Sequence, residues 1–230
     1  MVKIFGTLCA LLLCGPVFAD NVANGDIDIT LAFPGDDVPG TVRVHAMIDA
    51  DPEKVWALVT NINDWKGWMP MVMEAHFYSD EFVKALPASV NKDEALFKKL
   101  ETQFPGHNVA PPLEGTSTRV AFESYDLPWP IANNWSVRRY QYDNSQAATH
   151  RYLVSFRKIY ERDIKGQEGT WTFEPMPAKS GATLLTYELR TKPQHGFALT
   201  LFKIGVKHTV EHMIAAIRKH VAPAAATAGQ

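Results

Sequence analysis

The sequence predicts an α+β chain in which a meander of antiparallel strands is followed by one long amphipathic helix. Three observations carry this. Five strand-like stretches succeed one another from Ser117 to Lys192, each bounded by Pro, Gly, Asn or Ser. From about Phe197 to Val221, Phe202, Val206, Val210, Met213, Ile217 and Val221 recur at steps of three or four, one stripe about 100° wide on a helix. Between Asp26 and Ile48, two alternating stretches flank the turn-forming PGDDVPG, as in a hairpin.

The first residues predict export. Lys3 precedes an apolar run, Ile4 to Cys14, too short to span a bilayer. Gly15-Pro16 breaks it, and Val17-Phe18-Ala19 supplies small residues at a cleavage site. Residues 1–19 therefore read as a secretory signal peptide, and the mature chain as periplasmic. Each cysteine follows a leucine, which argues against lipid anchoring.

After DIDITLAF and TVRVHAMI comes a helix. Asp51 is placed to cap it, Pro52 suits its first position, and Val55, Trp56, Val59 and Ile62 share its buried face. It ends by Gly67 and Pro70, before a strand in MEAHFYS. Residues 79–115 interrupt the rhythm with two helical stretches and a Pro/Gly-rich loop. They read as an inserted subelement and a candidate lid, too short to be a second domain. The meander follows: TRVAFESYDL, WSVRRYQYDN, THRYLVSFRKIYE, GTWTFEPM and TLLTYELRTK. One domain is expected over 20–222, with a disordered alanine-rich tail at 223–230.

Composition excludes several functions. Both cysteines, Cys9 and Cys14, lie in the leader, so the mature chain has no disulfide, thiolate nucleophile or cysteine metal site. The formal charge is −2, mildly acidic and without a basic stripe, against nucleic-acid binding. HTVEH, His208 to His212, spells the H-x-x-E-H of inverted zinc peptidases. On the helix, however, both histidines point about 180–220° from the apolar stripe, at ~100° per residue. No Asp or Glu follows Glu211 to serve as a third ligand, so the motif reads as a solvated face, with no metal expected. There is no nucleophile elbow and no Gly-rich phosphate loop, and no catalytic residue is assigned.

Strand pair, helix, meander and long final helix, in that order, make a helix-grip arrangement, and the sequence resembles the START-like superfamily, also called SRPBCC or polyketide cyclase-like. The matching stretches are IDADPEKVWALVTNINDWKGWMPMV, YDLPWPIANNWSVRRY, GTWTFEPM with GATLLTYEL, and KPQHGFALTLFKIGVKHTVEHMIAAIRKHV. The resemblance covers roughly Asp26 to Val221 and implies a curved antiparallel sheet wrapped around the C-terminal helix, with a ligand between them. It points to the lipid- and quinone-binding branches: a carrier of a sterol, hopanoid, quinone or acyl lipid, without cofactor, monomeric, touching membranes transiently to exchange its ligand. Its alternative is a polyketide cyclase or aromatase. Relatives often carry Arg-Asp after the PWP turn, where this chain has Asn134-Trp135, so a polar anchor is missing or moved to Arg138 or Arg139.

An apolar cavity of this kind is the usual form of a small-molecule site, and Trp and Met suit its wall. The candidate ligand-binding residues are Trp65, Trp68, Met69 and Met71 near the first helix, and Phe122, Trp129, Trp135, Arg138 and Tyr187 on the strands and their turns. Phe202, Val206 and Met213 complete the set on the last helix. Glu123, Tyr125, Arg139 and Tyr140 are further strand residues able to point inward. In WSVRRYQY neither face is cleanly apolar, so periodicity does not decide between Arg138 and Arg139.

Overall fold

Val42, Val44, Ala46 and Ile48 alternate with polar or half-exposed neighbours, and all four are fully buried. This period of two makes β2 (Gly40–Ile48) a strand with one face on the core. It pairs with β1 (Ile27–Ala32) on one side and, on the other, with β8 (Thr183–Thr191), the last strand of the meander. β3 (Val72–Phe77), β4 (Thr116–Tyr125), β5 (Asn134–Asp143), β6 (Tyr152–Glu161) and β7 (Glu168–Pro175) complete an eight-stranded antiparallel sheet. The strand order is β1-β2-β8-β7-β6-β5-β4-β3, curved and unclosed, in agreement with the expected helix-grip fold. The structure is a computed structural model that describes residues 21–35, 38–86, 94–104, 115–126, 134–161, 167–192 and 199–222. The leader read at 1–19, the tail at 223–230 and Trp129 lie outside the described residues.

The crossover from β2 to β3 carries α1 (Pro52–Thr60), a 3₁₀ turn (Ile62–Asp64) and α2 (Trp65–Trp68). Pro52 opens α1 as expected, but Asp51 caps it through its backbone only: its side chain makes no capping hydrogen bond. Trp56 fills the centre of the core, stacked on Tyr152 at 5.3 Å and edge-on to Phe173 and Tyr142. The final helix, α5 (Leu199–Val221), lies on the same face of the sheet and buries Val210, Ile214, Ile217 and Val221. Lys54 donates to the Val221 carbonyl (2.7 Å) and Arg218 to Met47 (3.0 and 3.1 Å), tying the end of α5 to α1 and β2.

The insertion contributes α3 (Asp80–Ala85) and α4 (Glu94–Gln103). Ser79 caps α3, its hydroxyl accepting the Phe82 N–H at 3.2 Å. Phe82, Phe97 and Leu100 pack with Tyr78, Val120, Val137 and Tyr160 into a second apolar cluster. Val120 and Val137 alternate with the inward Ala121 and Tyr140, so this cluster covers the outer face of the sheet. The expected lid over the ligand space is therefore corrected for α3 and α4: their apolar faces seal the opposite side of β3–β6. The parts of the insertion at 87–93 and 105–114 lie outside the described residues.

Candidate functional site

The inner face of the sheet and α5 enclose a cavity of about 190 Å³. Phe202, Val206, Val210 and Met213 wall it on the helix side, at successive inward positions of α5. Trp65, Met69 and Met71 line it from α2 and its exit, and Tyr125, Arg138, Phe156, Trp171, Tyr187 and Leu189 from the sheet. Met71 holds a left-handed backbone (φ 62°), rare without glycine, and its carbonyl accepts the Asp126 N–H at 2.8 Å. The Trp65 indole is held in place by its N–H on the Val59 carbonyl, 3.0 Å away. Inward-facing Gly169 on β7 makes room for the wall. A Cβ there would come within 2.3 Å of the Glu188 carbonyl oxygen and 2.6 Å of Phe156, so the missing side chain is what seats that ring.

One end of the cavity is polar. Glu123 on β4 is fully buried, and Arg138 on β5 approaches it at 2.8 Å. Tyr125 donates its hydroxyl to one carboxylate oxygen of Glu123, and Tyr140 donates to the other. Arg138 also donates to Gln167 (3.1 Å), and its guanidinium lies over the Phe156 ring at 5.3 Å. Burial alone would lower the Arg138 pKa, but the Glu123 carboxylate more than offsets it and holds the guanidinium firmly charged. Burial pushes the Tyr125 and Tyr140 phenols well up, helped by Glu123. Tyr187 is pushed up to about 12, mainly by burial. These phenols stay protonated and act as hydrogen-bond groups.

The consequences for chemistry follow from saturation. Both oxygens of Glu123 are occupied and it does not line the cavity, so it serves to neutralise Arg138 rather than to take a proton from a guest. The groups left for a guest are Arg138 Nε, Asn134 Oδ1 and Thr191 Oγ1, none of which has a hydrogen-bond partner among the described residues, with Tyr187 lining the cavity beside them. The site offers a few hydrogen bonds at one end of an otherwise apolar, aromatic-rich wall.

Of the residues singled out from sequence, the structure brings Trp65, Met69, Met71, Arg138, Tyr187, Phe202, Val206 and Met213 together around this cavity. Trp68 is elsewhere, its ring against His220 at 5.5 Å. Phe122 and Trp135 point to the outer face, packed with the insertion. Trp135 is stacked on Tyr160 at 5.1 Å and Phe97 at 5.8 Å. Arg139 also faces outward, so of the two arginines it is Arg138 that lines the inner cavity. Sequence reasoning named Glu123 and Tyr125 as able to point inward but did not place them in the site, and it passed over Asn134, Phe156, Gln167 and Thr191. His208 and His212 are exposed on α5, and no three His, Cys, Asp or Glu side chains of the described residues converge as a metal-binding group.

The outer sheet face carries a larger concavity, about 720 Å³, lined by polar side chains including Arg43, Arg139, Glu168, Glu188 and Arg190. It is open to water, and its glutamates are engaged by Arg43 and Arg190. A solvated sheet face explains it, and the smaller inner cavity has the enclosure a hydrophobic guest needs.

The model of a family described as polyketide cyclase / dehydrase and lipid transport matches residues 48–218, well over half of the chain. Similar solved structures include a STAR-related lipid transfer protein from Xanthomonas axonopodis, 16% identical, covering 84% of this chain and 98% of that one, with a TM-score of 0.53. Human StAR-related lipid transfer protein 5 is 10% identical over 89% of this chain and 95% of its own, at 0.52. The Zhui aromatase/cyclase from Streptomyces sp. R1128 is 11% identical over 79% and 92%, at 0.51. At these identities the likeness is one of fold. No curated protein sequence matches the chain.

Proposed function

Because the chain belongs to the polyketide cyclase / dehydrase and lipid transport family, we propose that it is an exported carrier of a hydrophobic small molecule, held between the sheet and α5. One observation carries the reading: an apolar, aromatic-walled cavity with a single polar end, where Arg138 is neutralised by Glu123. A neutral end group such as a hydroxyl or carbonyl fits it. A free carboxylate would face an arginine whose charge is already matched. At about 190 Å³ the space holds on the order of six water volumes of ~30 Å³ each, below the ~300 Å³ of small drug sites. It therefore takes a ring or headgroup first, and a long cargo such as a quinone, sterol or acyl lipid extends outward along α5. Export rests on the leader-like residues 1–19 and places the cargo in the periplasm.

Native mass spectrometry and solvent extraction of the protein from its own host test the reading. A reproducible lipid-like mass released on denaturation is expected. Empty protein that also binds no sterol, hopanoid, quinone or fatty acyl probe would sink it. Protein recovered with Asp20 as its first residue would support export. The cyclase reading draws on the Tyr125–Glu123–Arg138 network, and its mark would be turnover of an aromatic polyketide precursor that Glu123→Gln abolishes.

A further inference from the structure

The concavity on the outer sheet face is solvated, and its charges are unevenly matched. Four arginines, Arg43, Arg139, Arg157 and Arg190, line it against two glutamates, Glu168 and Glu188, a formal +2 in a chain of −2. Arg43 takes Glu188 at 2.6 Å, and Arg190 takes Glu168 at 3.6 Å. Arg139 on β5 and Arg157 on β6 have no hydrogen bond or ion pair among the described residues, and they stand directly opposite each other in the sheet. Side chains so opposed start roughly 5 Å apart, and like charges at that spacing repel. A bulge adjoins the pair. Val137 stands opposite Tyr160 but Arg138 opposite Lys158, which leaves Ile159 unmatched. Bulges of this kind re-aim side chains and occur beside binding sites. In the next row of the same face, Gln141, Ser155 and Thr170 lie across β5, β6 and β7 and supply neutral hydrogen-bond groups.

We propose that the outer face of β5 and β6 binds a small phosphate ester, its phosphate held between Arg139 and Arg157. A guanidinium presents a planar fork of N–H donors that one carboxylate satisfies, as Glu188 does for Arg43. Two facing forks need more. A phosphate monoester brings three terminal oxygens and close to two negative charges at neutral pH, enough for both, and offsets the repulsion between them. The amide and hydroxyls of the adjoining row suit a hydroxyl-rich remainder, and the open, polar concavity of about 720 Å³ has room for one. Arg138 and Phe156, the chain neighbours of the pair, line the inner cavity, so one sheet thickness separates the two sites. Phosphate binding on the outer face needs no cargo on the inner one.

The test is isothermal titration of the full protein with glycerol 3-phosphate and with inorganic phosphate, at constant ionic strength. Both are expected to bind, the ester at least as tightly as the ion. Arg139→Gln and Arg157→Gln should each weaken binding at least ~10-fold, and the double variant should abolish it. Arg151→Gln, an arginine outside the concavity and paired with Glu174, should leave it unchanged. Thermal unfolding shows that the variants fold. In phosphate-free buffer the double variant should melt no lower than wild type, because a like-charge contact is gone, and added phosphate should raise the wild-type midpoint alone. Binding of neither probe by wild type overturns the proposal, as does equal binding by wild type and the double variant. Sodium chloride that matches the phosphate-induced shift at equal ionic strength reduces the effect to screening and overturns it too. Binding of inorganic phosphate without the ester overturns it in favour of the free ion.

Discussion

Two aromatic clusters lie back to back across the same strands, and the inner one borders the cavity. On the outer face, Phe97 stacks on Tyr160 at 4.7 Å, Trp135 on Tyr160 at 5.1 Å and Tyr78 on Phe82 at 3.9 Å. On the inner face, Phe156, Trp171 and Tyr187 pack against one another but also border the cavity. Both clusters are rich in Trp, Tyr and Phe. What separates them is polar chemistry: the inner face holds Glu123 and Arg138 under the rings, and the outer face is closed by the insertion. Aromatic content marks burial. The polar pair marks the end of the cavity where the proposed carrier would orient its guest.

The largest expected effect breaks that pair. Arg138→Met leaves the Glu123 carboxylate buried without its cation and should cost on the order of 3–5 kcal/mol of stability. Glu123→Gln with Arg138→Met removes both charges and should recover most of the loss, yet hold less cargo. Denaturant unfolding measures the first effect and native mass spectrometry the second. A stable Arg138→Met protein that keeps its cargo would contradict the assignment of the polar end. On the other face, Phe97→Ala should cost about 3 kcal/mol by opening a void under the insertion, with cargo retention unchanged. Loss of cargo in that variant would show that the two faces are coupled.

The same comparison explains what the sequence disclosed. The strands and the long helix were legible because β2 and α5 bury one face and wet the other, giving clean periods of two and three to four. β5 was not. Tyr140 and Tyr142 are buried under α1 and its neighbours, while Trp135 and Val137 are covered by the insertion, so both faces mix aromatic or apolar residues with an arginine and period two vanishes. That is why Trp135 and Phe122 were grouped with the ligand wall and why Arg138 and Arg139 could not be told apart. Pairing settles it: Arg138 stands opposite Ala121, whose neighbours on that face are Glu123 and Phe77. Register depends on where turns fall, and the prolines of residues 127–133 signal a break without fixing the register across it. The histidines of HTVEH were easier, since helical phase alone sets their face.

Titration distinguishes the faces as well. Tyr125, Tyr140, Tyr142 and Tyr187 on the inner side are all pushed above the ordinary phenol value of 10.0, chiefly by burial. A raised folded pKa means that the native state holds the proton more tightly than the unfolded chain. Stability is therefore complete below pH 10, falls as pH climbs past it, and for Tyr187 is spent by about 12. Thermal unfolding from pH 8 to pH 11.5 should show a steep loss above pH 10. Replacing both Tyr140 and Tyr142 by Phe should flatten that slope, whatever it does to stability at neutral pH. An unchanged slope would move the alkaline sensitivity from this pair to Tyr125 and Tyr187, or to Tyr78 on the outer face, also raised by burial.

The smallest effect is the most specific. Tyr187 lines the cavity, and Tyr187→Phe takes away its hydroxyl while leaving the ring in the wall. The fold keeps the ring and its packing on Trp171, 4.3 Å away, and the unfolding midpoint should stay within ~0.5 kcal/mol of wild type. If the hydroxyl bonds the cargo, losing it should cost about 0.5–1.5 kcal/mol, a roughly two- to tenfold weakening. The measurement is the rate at which loaded protein gives its cargo to empty phosphatidylcholine vesicles, which should rise by that factor. Tyr78→Phe is the counterpart on the outer face. It removes a hydroxyl that donates to Glu101 at 2.8 Å and should leave the transfer rate alone. Equal rates for Tyr187→Phe and wild type would mean that the cargo's polar end contacts Arg138 or Asn134 but not Tyr187, and would shift the binding pose toward β5.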